Sequence, residues 1–314
     1  MKLSLVVPCY NEQDNVFDFY DCVEKCFSTK DFDYEIVFVN DGSRDDTFNK
    51  LKEIVKTKKG NIQVVSFSRN FGKESAIYAG LTRSKGDRVC IIDADLQQRP
   101  EVVVQMMEIL DEKPELDCVA AYQQKRKEGG LISAVKSCFY KVINKMSEVD
   151  FVNGASDFRL MSRQMVNAVL DMTEYHRFSK GILSWVGFNC EYIPYEVQIR
   201  EHGESKWSTI KLLKYAVEGI IAFSTAPLKL ATFVGFVSSI LSILYLIFVV
   251  VQKLAFGIAI PGYATIIVLL LLIGGLILFC LGIIGEYIAR MYVQVKNRPI
   301  YIEKYHLESK DEQD

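Results

Sequence analysis

The sequence predicts an α/β protein in which a doubly wound, mostly parallel sheet is followed by an interfacial helix and two transmembrane helices. Three observations predict it. Short β-rich runs alternate with helix-length segments through the first half, a polar cluster follows each of the first four runs, and residues 230–251 and 264–285 hold no charged residue. Strands separated by helices favour a parallel sheet wound on both faces. Uncharged stretches of this length can cross a hydrocarbon core of roughly 30 Å as helices.

The runs at 3–7, 34–39, 62–67, 89–92 and 118–121 read as strands, and 14–27, 45–56 and 73–83 as the helices between them. The polar clusters lie at 8–12, 40–43, 68–73 and 93–95. Open α/β sheets bind ligands beyond the carboxyl ends of their strands, so the four clusters are expected to line one pocket. Residues 40–46 would also serve simply as a helix N-cap. The fourth run ends in Asp93 and Asp95, spaced i, i+2, with Gln97 beyond. That set offers hard oxygen ligands to Mg²⁺ or Mn²⁺ held against a diphosphate; for Asp93-Ala94-Asp95 alone, a polar strand-to-loop turn is the plainer alternative.

Half of the 314 residues are hydrophobic and the net charge is −2, which argues against disorder and against nucleic-acid binding. The eight cysteines are scattered, with no CxxC pair, and read as reduced thiols. Cys22, Cys26 and Cys280 read as small packing residues. Only Lys2 precedes the first apolar run, and Tyr10-Asn11-Glu12 follows too soon for a signal peptide. Lys206, Lys211, Lys214 and Lys229 precede the first uncharged stretch and Arg290, Lys296 and Arg298 follow the second, whereas the connecting loop holds only Lys253. Positive residues stay on the cytoplasmic side, so a multi-pass protein of the cell (inner) membrane is expected, with both termini and the first domain cytoplasmic. The layout expected is a domain at 1–207, a juxtamembrane amphipathic helix at 208–227, spans at about 228–252 and 264–289 within 228–290, and a cytoplasmic tail at 291–314. The amphipathic helix places Ile210, Leu213, Val217 and Ile220 on one face, which can lie in the membrane interface or pack on its own domain.

Eight motifs occur in order: VVPCYNE at 6–12, NDGSRDDT at 40–47, SRNFGKESA at 68–76, DADLQQRPE at 93–101, SDFRLMSR at 156–163, FSKGILSWVGF at 178–188, GESKWS at 203–208 and GEYIARMY at 285–292, the last ahead of NRPIY. With them the chain resembles, over nearly its whole length, the membrane-anchored polyprenyl-phosphate glycosyltransferases of glycosyltransferase family 2, relatives of dolichyl-phosphate mannose synthase with the GT-A fold. The resemblance implies inverting transfer of a hexose from a nucleotide sugar, with UDP-glucose the leading donor, to undecaprenyl (polyprenyl) phosphate. UDP-N-acetylglucosamine, a UDP-amino-arabinose derivative and GDP-mannose stay open as donors.

By the same resemblance, Pro8, Tyr10, Glu12 and Asp41 bind the nucleoside, Lys73 belongs to the donor pocket, and Asp93, Asp95 and Gln97 face metal and diphosphate. Asp95 and Asp157 are the catalytic candidates. Asp157 matches the position usually assigned as base, but a phosphate monoester is already largely ionised at neutral pH, so orienting remains an open alternative to proton abstraction. Arg126, Arg200, Ser205 and Lys206 match acceptor-phosphate positions. The resemblance also implies a bilayer-embedded homo-oligomer, a tetramer in relatives; the alternative from another class is a non-catalytic membrane partner that binds nucleotide sugar and recruits a flippase.

Overall fold

The structure, a computed structural model, describes residues 2–123, 155–196, 224–256 and 262–309. Its centre is β1 (Lys2–Cys9), an apolar run buried on both faces as a central parallel strand requires. On α1 (Val16–Phe27) the residues Val16, Phe19, Tyr20, Val23 and Phe27 recur at helical spacing and form its buried face. The chain then alternates through β2 (Asp33–Asn40), α2 (Thr47–Thr57), β3 (Asn61–Phe67), α3 (Lys73–Arg83), β4 (Arg88–Ile91), α4 (Pro100–Glu112) and β5 (Cys118–Gln123). Next come β6 (Ala155–Ser162), α5 (Arg163–Leu170), α6 (Ser179–Trp185) and β7 (Cys190–Tyr195). The Ser162 hydroxyl accepts from the Met165 amide at 3.2 Å and so caps α5.

Two long helices follow, α7 (Ala226–Phe256) and α8 (Tyr263–Val295), and the chain closes with β8 (Glu303–Glu308). The eight strands form one sheet in the order β7-β5-β6-β4-β1-β2-β3-β8. Pairings β1–β2, β1–β4, β2–β3 and β5–β7 are parallel, while β6 runs antiparallel to β4 and β5, and β8 to β3. The sheet is therefore mostly parallel, as the alternation implies, and of GT-A type with two reversed strands. Helices cover both faces. One core packs Phe19, Leu51 and Met106 of α1, α2 and α4 on the sheet, and the other packs Ile77, Met165 and Ile182 of α3, α5 and α6. From β1 the chain moves outward to β2 and β3, then returns across β1 to β4. That reversal parts the loops after β1 and β4 and opens a crevice at the carboxyl edge.

Ala226–Gln252 and Val268–Val295 are long and apolar enough to cross a membrane. Phe233, Leu271 and Leu278 stand exposed on them, which a helical hairpin buried in a soluble core would not allow. Both helices exceed the expected spans: at 31 and 33 residues they reach roughly 45–50 Å, so their ends extend beyond a hydrocarbon core. Of the amphipathic segment expected at 208–227, residues 208–223 lie outside the described residues, and α7 already begins at Ala226.

The segment 291–314, expected as a tail, is corrected in its described part. Its first residues continue α8, and β8 then adds to the sheet beside β3, from Gln63↔Glu308 to Phe67↔Glu303. An open β3 edge would leave unpaired amides and carbonyls, and β8 satisfies them. Arg83 Nη2 meets Glu303 Oε2 at 2.8 Å, and the Ile62 amide donates to Ser309 Oγ at 3.0 Å. Gln294 near the end of α8 accepts from the Tyr175 amide at 2.8 Å and donates to the Thr173 carbonyl at 3.2 Å.

Near the start of the interior strand β2, Glu35 is fully buried. It accepts from Ser4 Oγ at 2.6 Å, the Lys85 amide at 2.5 Å and Gln63 Nε2 at 3.4 Å, and meets Lys2 Nζ at 2.9 Å. Burial works against the charge, but the bonds from Ser4, Lys2 and Lys85 outweigh it and hold the carboxyl below its ordinary pKa. The unfolded carboxyl titrates near about 4.3, so this stabilisation is complete above that value and is lost as pH falls through the lower folded pKa. Glu35→Gln is expected to cost about 2 kcal/mol at pH 7, a Tm loss of roughly 5 °C, and to flatten the acid limb of a Tm-against-pH curve. An unchanged acid limb would remove Glu35 as its source.

Candidate functional site

Five strand ends meet at the crevice. The loops after β1 and β2 are joined: the Asn11 amide donates to Ser43 Oγ at 3.0 Å, the Arg44 amide to Asn11 Oδ1 at 2.9 Å, and the Glu12 amide to Thr47 Oγ1 at 2.9 Å. Asn11 reaches its partners with φ +56°, a left-handed conformation that asparagine tolerates. Pro8 closes β1 opposite Val39, and Tyr10 and Glu12 follow it, half-buried, with Glu12 Oε2 accepting from Asn15 Nδ2 at 2.6 Å.

Asp41, at the end of β2, is buried and turned toward the loop after β3. Its Oδ1 accepts from the Phe71 amide at 2.6 Å, and its Oδ2 from the Gly72 amide and Asn70 Nδ2, each at 2.9 Å. Burial raises its pKa, and those amides offset only part of the rise. Asp41 thus braces the 70–72 turn. Gly72, at φ +98°, is the turn's pivot, and a Cβ on Gly42 would fall 2.3 Å from the Arg69 carbonyl carbon, so the two loops pack backbone to backbone.

The turn delivers Lys73, the first residue of α3. Its ammonium lies 2.6 Å from Asp93 Oδ1 and 3.3 Å from Asp157 Oδ2. The two acids meet because β6 is antiparallel to β4: Ile91 pairs with Arg159, so Asp93, two residues past Ile91, faces Asp157, two residues before Arg159. Burial opposes the charge of Lys73, but Asp93 and Asp157 outweigh it and raise its pKa. Burial likewise pushes Asp157 up, yet Lys73, Lys180 and Arg159 pull it below the usual carboxylate range. Its Oδ1 is buried with no hydrogen-bond partner among the described residues. Glu74 accepts from the Ser179 amide at 2.7 Å and from the Ser179 hydroxyl. Burial and then the nearby Asp157 push it up to about 7.

Asp93 is held by Gln98, which the sequence reading did not single out. Buried Gln98 accepts from the Asp93 amide at 2.9 Å and donates to Asp93 Oδ2 at 3.1 Å. Between them Leu96 takes φ +57°, a conformation costly for a branched side chain, and the Gln97 amide donates to Asp95 Oδ1 at 3.2 Å. Two adjacent glutamines look alike in sequence, and only the turn at Leu96 decides which one folds back. Ser179 was equally illegible, 105 residues from Glu74.

Asp93, Asp95 and the side-chain carbonyl of Gln97 offer hard oxygen donors on one loop, and that chemistry fits a divalent cation. No group of three His, Cys, Asp or Glu converges on one point among the described residues. A cation held there would need ligands beyond these side chains. Arg126, Arg200, Ser205 and Lys206 lie outside the described residues, while the seven cysteines that are described are free.

Residues 4–170 match the family model for glycosyl transferase family 2, and residues 226–291 the GtrB C-terminal hairpin. The chain is 42% identical to a putative glycosyltransferase, CsbB, of Bacillus subtilis (strain 168), over 96% of this chain and 91% of that protein. It is 39% identical to the bactoprenol glucosyl transferase of Shigella phage SfII, over 97% and 98%. Among solved structures, glucosyl-3-phosphoglycerate synthase from Mycobacterium tuberculosis with phosphoglyceric acid has TM-score 0.49 at 18% identity, covering 70% of this chain and 78% of that one.

Replacing Lys73 by Met would remove the strongest of the cations lowering Asp157 and one that restrains Glu74. Both carboxyls are then expected to protonate at higher pH than in the native chain, read as a shift in an infrared titration of the carboxyl stretch against Asp157→Asn and Glu74→Gln as assignments. Unmoved titrations would show that Lys73 does not set their charge.

Proposed function

The chain belongs to glycosyl transferase family 2 and is a glycosyltransferase, and on that premise we propose that it transfers one hexose from a nucleotide sugar, UDP-glucose first among donors, to a polyprenyl phosphate such as undecaprenyl phosphate with inversion at the anomeric carbon. The observation that carries the reading is the Asp93–Lys73–Asp157 cluster, set at the crevice of a sheet that β8 ties to two membrane-length helices. Full-length similarity to proteins named bactoprenol glucosyl transferase supports a lipid acceptor.

In this reading Pro8, Tyr10, Glu12 and Asp41 frame the nucleoside, and Asp93, Asp95 and Gln97 would hold Mg²⁺ or Mn²⁺ against the donor diphosphate. The cation would neutralise charge on the departing nucleoside diphosphate. Gln98 keeps Asp93 oriented for that task, and Lys73 keeps a positive charge beside the leaving group. Asp157 orients rather than abstracts. A carboxylate held below its usual range is a weak base, and the acceptor, with a second phosphate pKa near 6, arrives mostly ionised. Its standing negative charge instead favours the positive anomeric carbon of the transition state and fixes Lys73. Arg126, Arg200, Ser205 and Lys206 are the groups assigned to the lipid phosphate. The enzyme would face the cytoplasm from the cell membrane, act as a homo-oligomer, and pass its glycolipid to a flippase.

Purified full-length protein in detergent, given undecaprenyl phosphate, Mg²⁺ or Mn²⁺ and a panel of UDP- and GDP-sugars, is expected to yield a monoglycosylated lipid from UDP-glucose, detected by mass. Chelation should abolish the product, and Asp95→Asn should lower turnover at least about 100-fold. Product from another sugar would replace glucose in the reading. Nucleotide binding without transfer from any donor would sink it.

A further inference from the structure

The segment that leaves α8 touches the turn that carries Lys73. Asn297 takes φ +44° just past the helix end, and the chain running through Pro299 brings the Tyr301 ring onto Phe67, with centroids 4.8 Å apart and planes at 21°. Phe67 meets Phe71 edge-on at 5.7 Å and 89°. With Val37, Val39, Val65, Ala76 and Ala79, these rings form a third core, on which Phe71 and Tyr301 are the half-buried outer members. The Ile302 carbonyl accepts from the Ser68 amide at 3.0 Å, fixing the segment at the exact start of the loop after β3.

The turn at 70–72 therefore has two supports. Its backbone is held by Asp41, through the Phe71 and Gly72 amides. Its one large side chain, Phe71, lies between the Arg69 guanidinium, 4.0 Å from the ring centroid, and the Phe67 ring, and Tyr301 backs Phe67. Two residues further on stands the Lys73 ammonium, between Asp93 and Asp157. A rotation of Phe71 about the Asp41 contact would carry Lys73 off those carboxylates, and displacements near 1 Å are enough to matter in such sites.

We propose that Tyr301 is a positioning residue for the donor site: stacked on Phe67, it keeps Phe71 seated and Lys73 aimed, so donor affinity depends on a residue supplied from beyond the apolar hairpin. This rests on reading the crevice as a nucleotide-sugar site. It also gives the NRPIY motif a task distinct from binding the lipid.

The test uses full-length protein in detergent, with UDP plus Mn²⁺ as the calorimetric probe and separate KM values for donor and lipid acceptor. Tyr301→Ala is expected to weaken UDP binding and raise donor KM by about tenfold, with the acceptor KM unchanged, and Tyr301→Phe, which keeps the ring, to restore both. Tyr305→Ala removes an aromatic from the same returning chain, one that stacks on Phe48 at 5.2 Å instead, and should leave UDP binding within twofold of native. Should Tyr301→Ala not fold, Phe67→Leu opens the same stack from its other member and is expected to show the same donor-side loss. Native-like UDP binding by Tyr301→Ala, or by Phe67→Leu in its place, overturns the proposal, as does an equal loss in Tyr305→Ala. Failure of the native protein to bind either UDP or, in a parallel titration, GDP overturns the nucleotide-sugar reading itself, and the proposal with it.

Discussion

Asp93, Asp157 and Glu74 bring three carboxyl groups to one small region, and the ammonium of Lys73 is the cation that meets two of them, Asp93 at 2.6 Å and Asp157 at 3.3 Å. Like charges a few ångströms apart in a partly desolvated crevice repel by several kcal/mol at an intermediate dielectric. Glu74 is pushed up to about 7 by burial first and by the nearby Asp157 second. Asp157 stays ionised against its burial because Lys73 leads the cations around it. The features that looked independent in the sequence serve this one placement. Asp41 braces the turn that presents Lys73, Gly72 allows the turn, and Gln98 orients the carboxylate that Lys73 meets.

What topology contributes is the meeting of distant residues. The alternation of apolar runs made the first five strands and the crevice at their carboxyl ends legible, because period and strand-end polarity are local properties of the chain. Asp93 with Asp95 was legible for the same reason. That Asp157 faces Asp93 was available only through resemblance, since the contact depends on β6 running antiparallel beside β4 and on the register Ile91↔Arg159. No local pattern encodes strand direction. Gln98 was hidden more simply: Leu96, just before the glutamines, takes a left-handed conformation, and leucine is a poor advertisement for it.

The end of the chain was misread for another physical reason. Glu303-Lys304-Tyr305-His306-Leu307-Glu308 carries four ionisable groups besides its tyrosine and lacks the apolar density of a central strand. An edge strand needs little of it, because its hydrogen bonds to β3 and a few contacts such as Tyr305 on Phe48 suffice. Helix ends were likewise underread: charged residues at Arg290 and Glu286 marked the limit of an apolar stretch, while α8 itself continues to Val295.

The returning strand changes how the site relates to a bilayer. A catalytic domain on a flexible tether would sample a range of heights above the membrane. Here the hairpin is joined to the domain by packed contacts: Gln294 with Thr173 and Tyr175, and the whole length of β8 along β3. For an enzyme whose second substrate is confined to a membrane surface, that geometry removes a search. With the apolar helices in a bilayer and the proposed polyprenyl phosphate as acceptor, β8 would hold the crevice at one level above the membrane. Such rigidity costs conformational entropy once, on folding, instead of at every encounter. It also explains why the chain invests in a strand after its last apolar helix, where an anchor alone would need none.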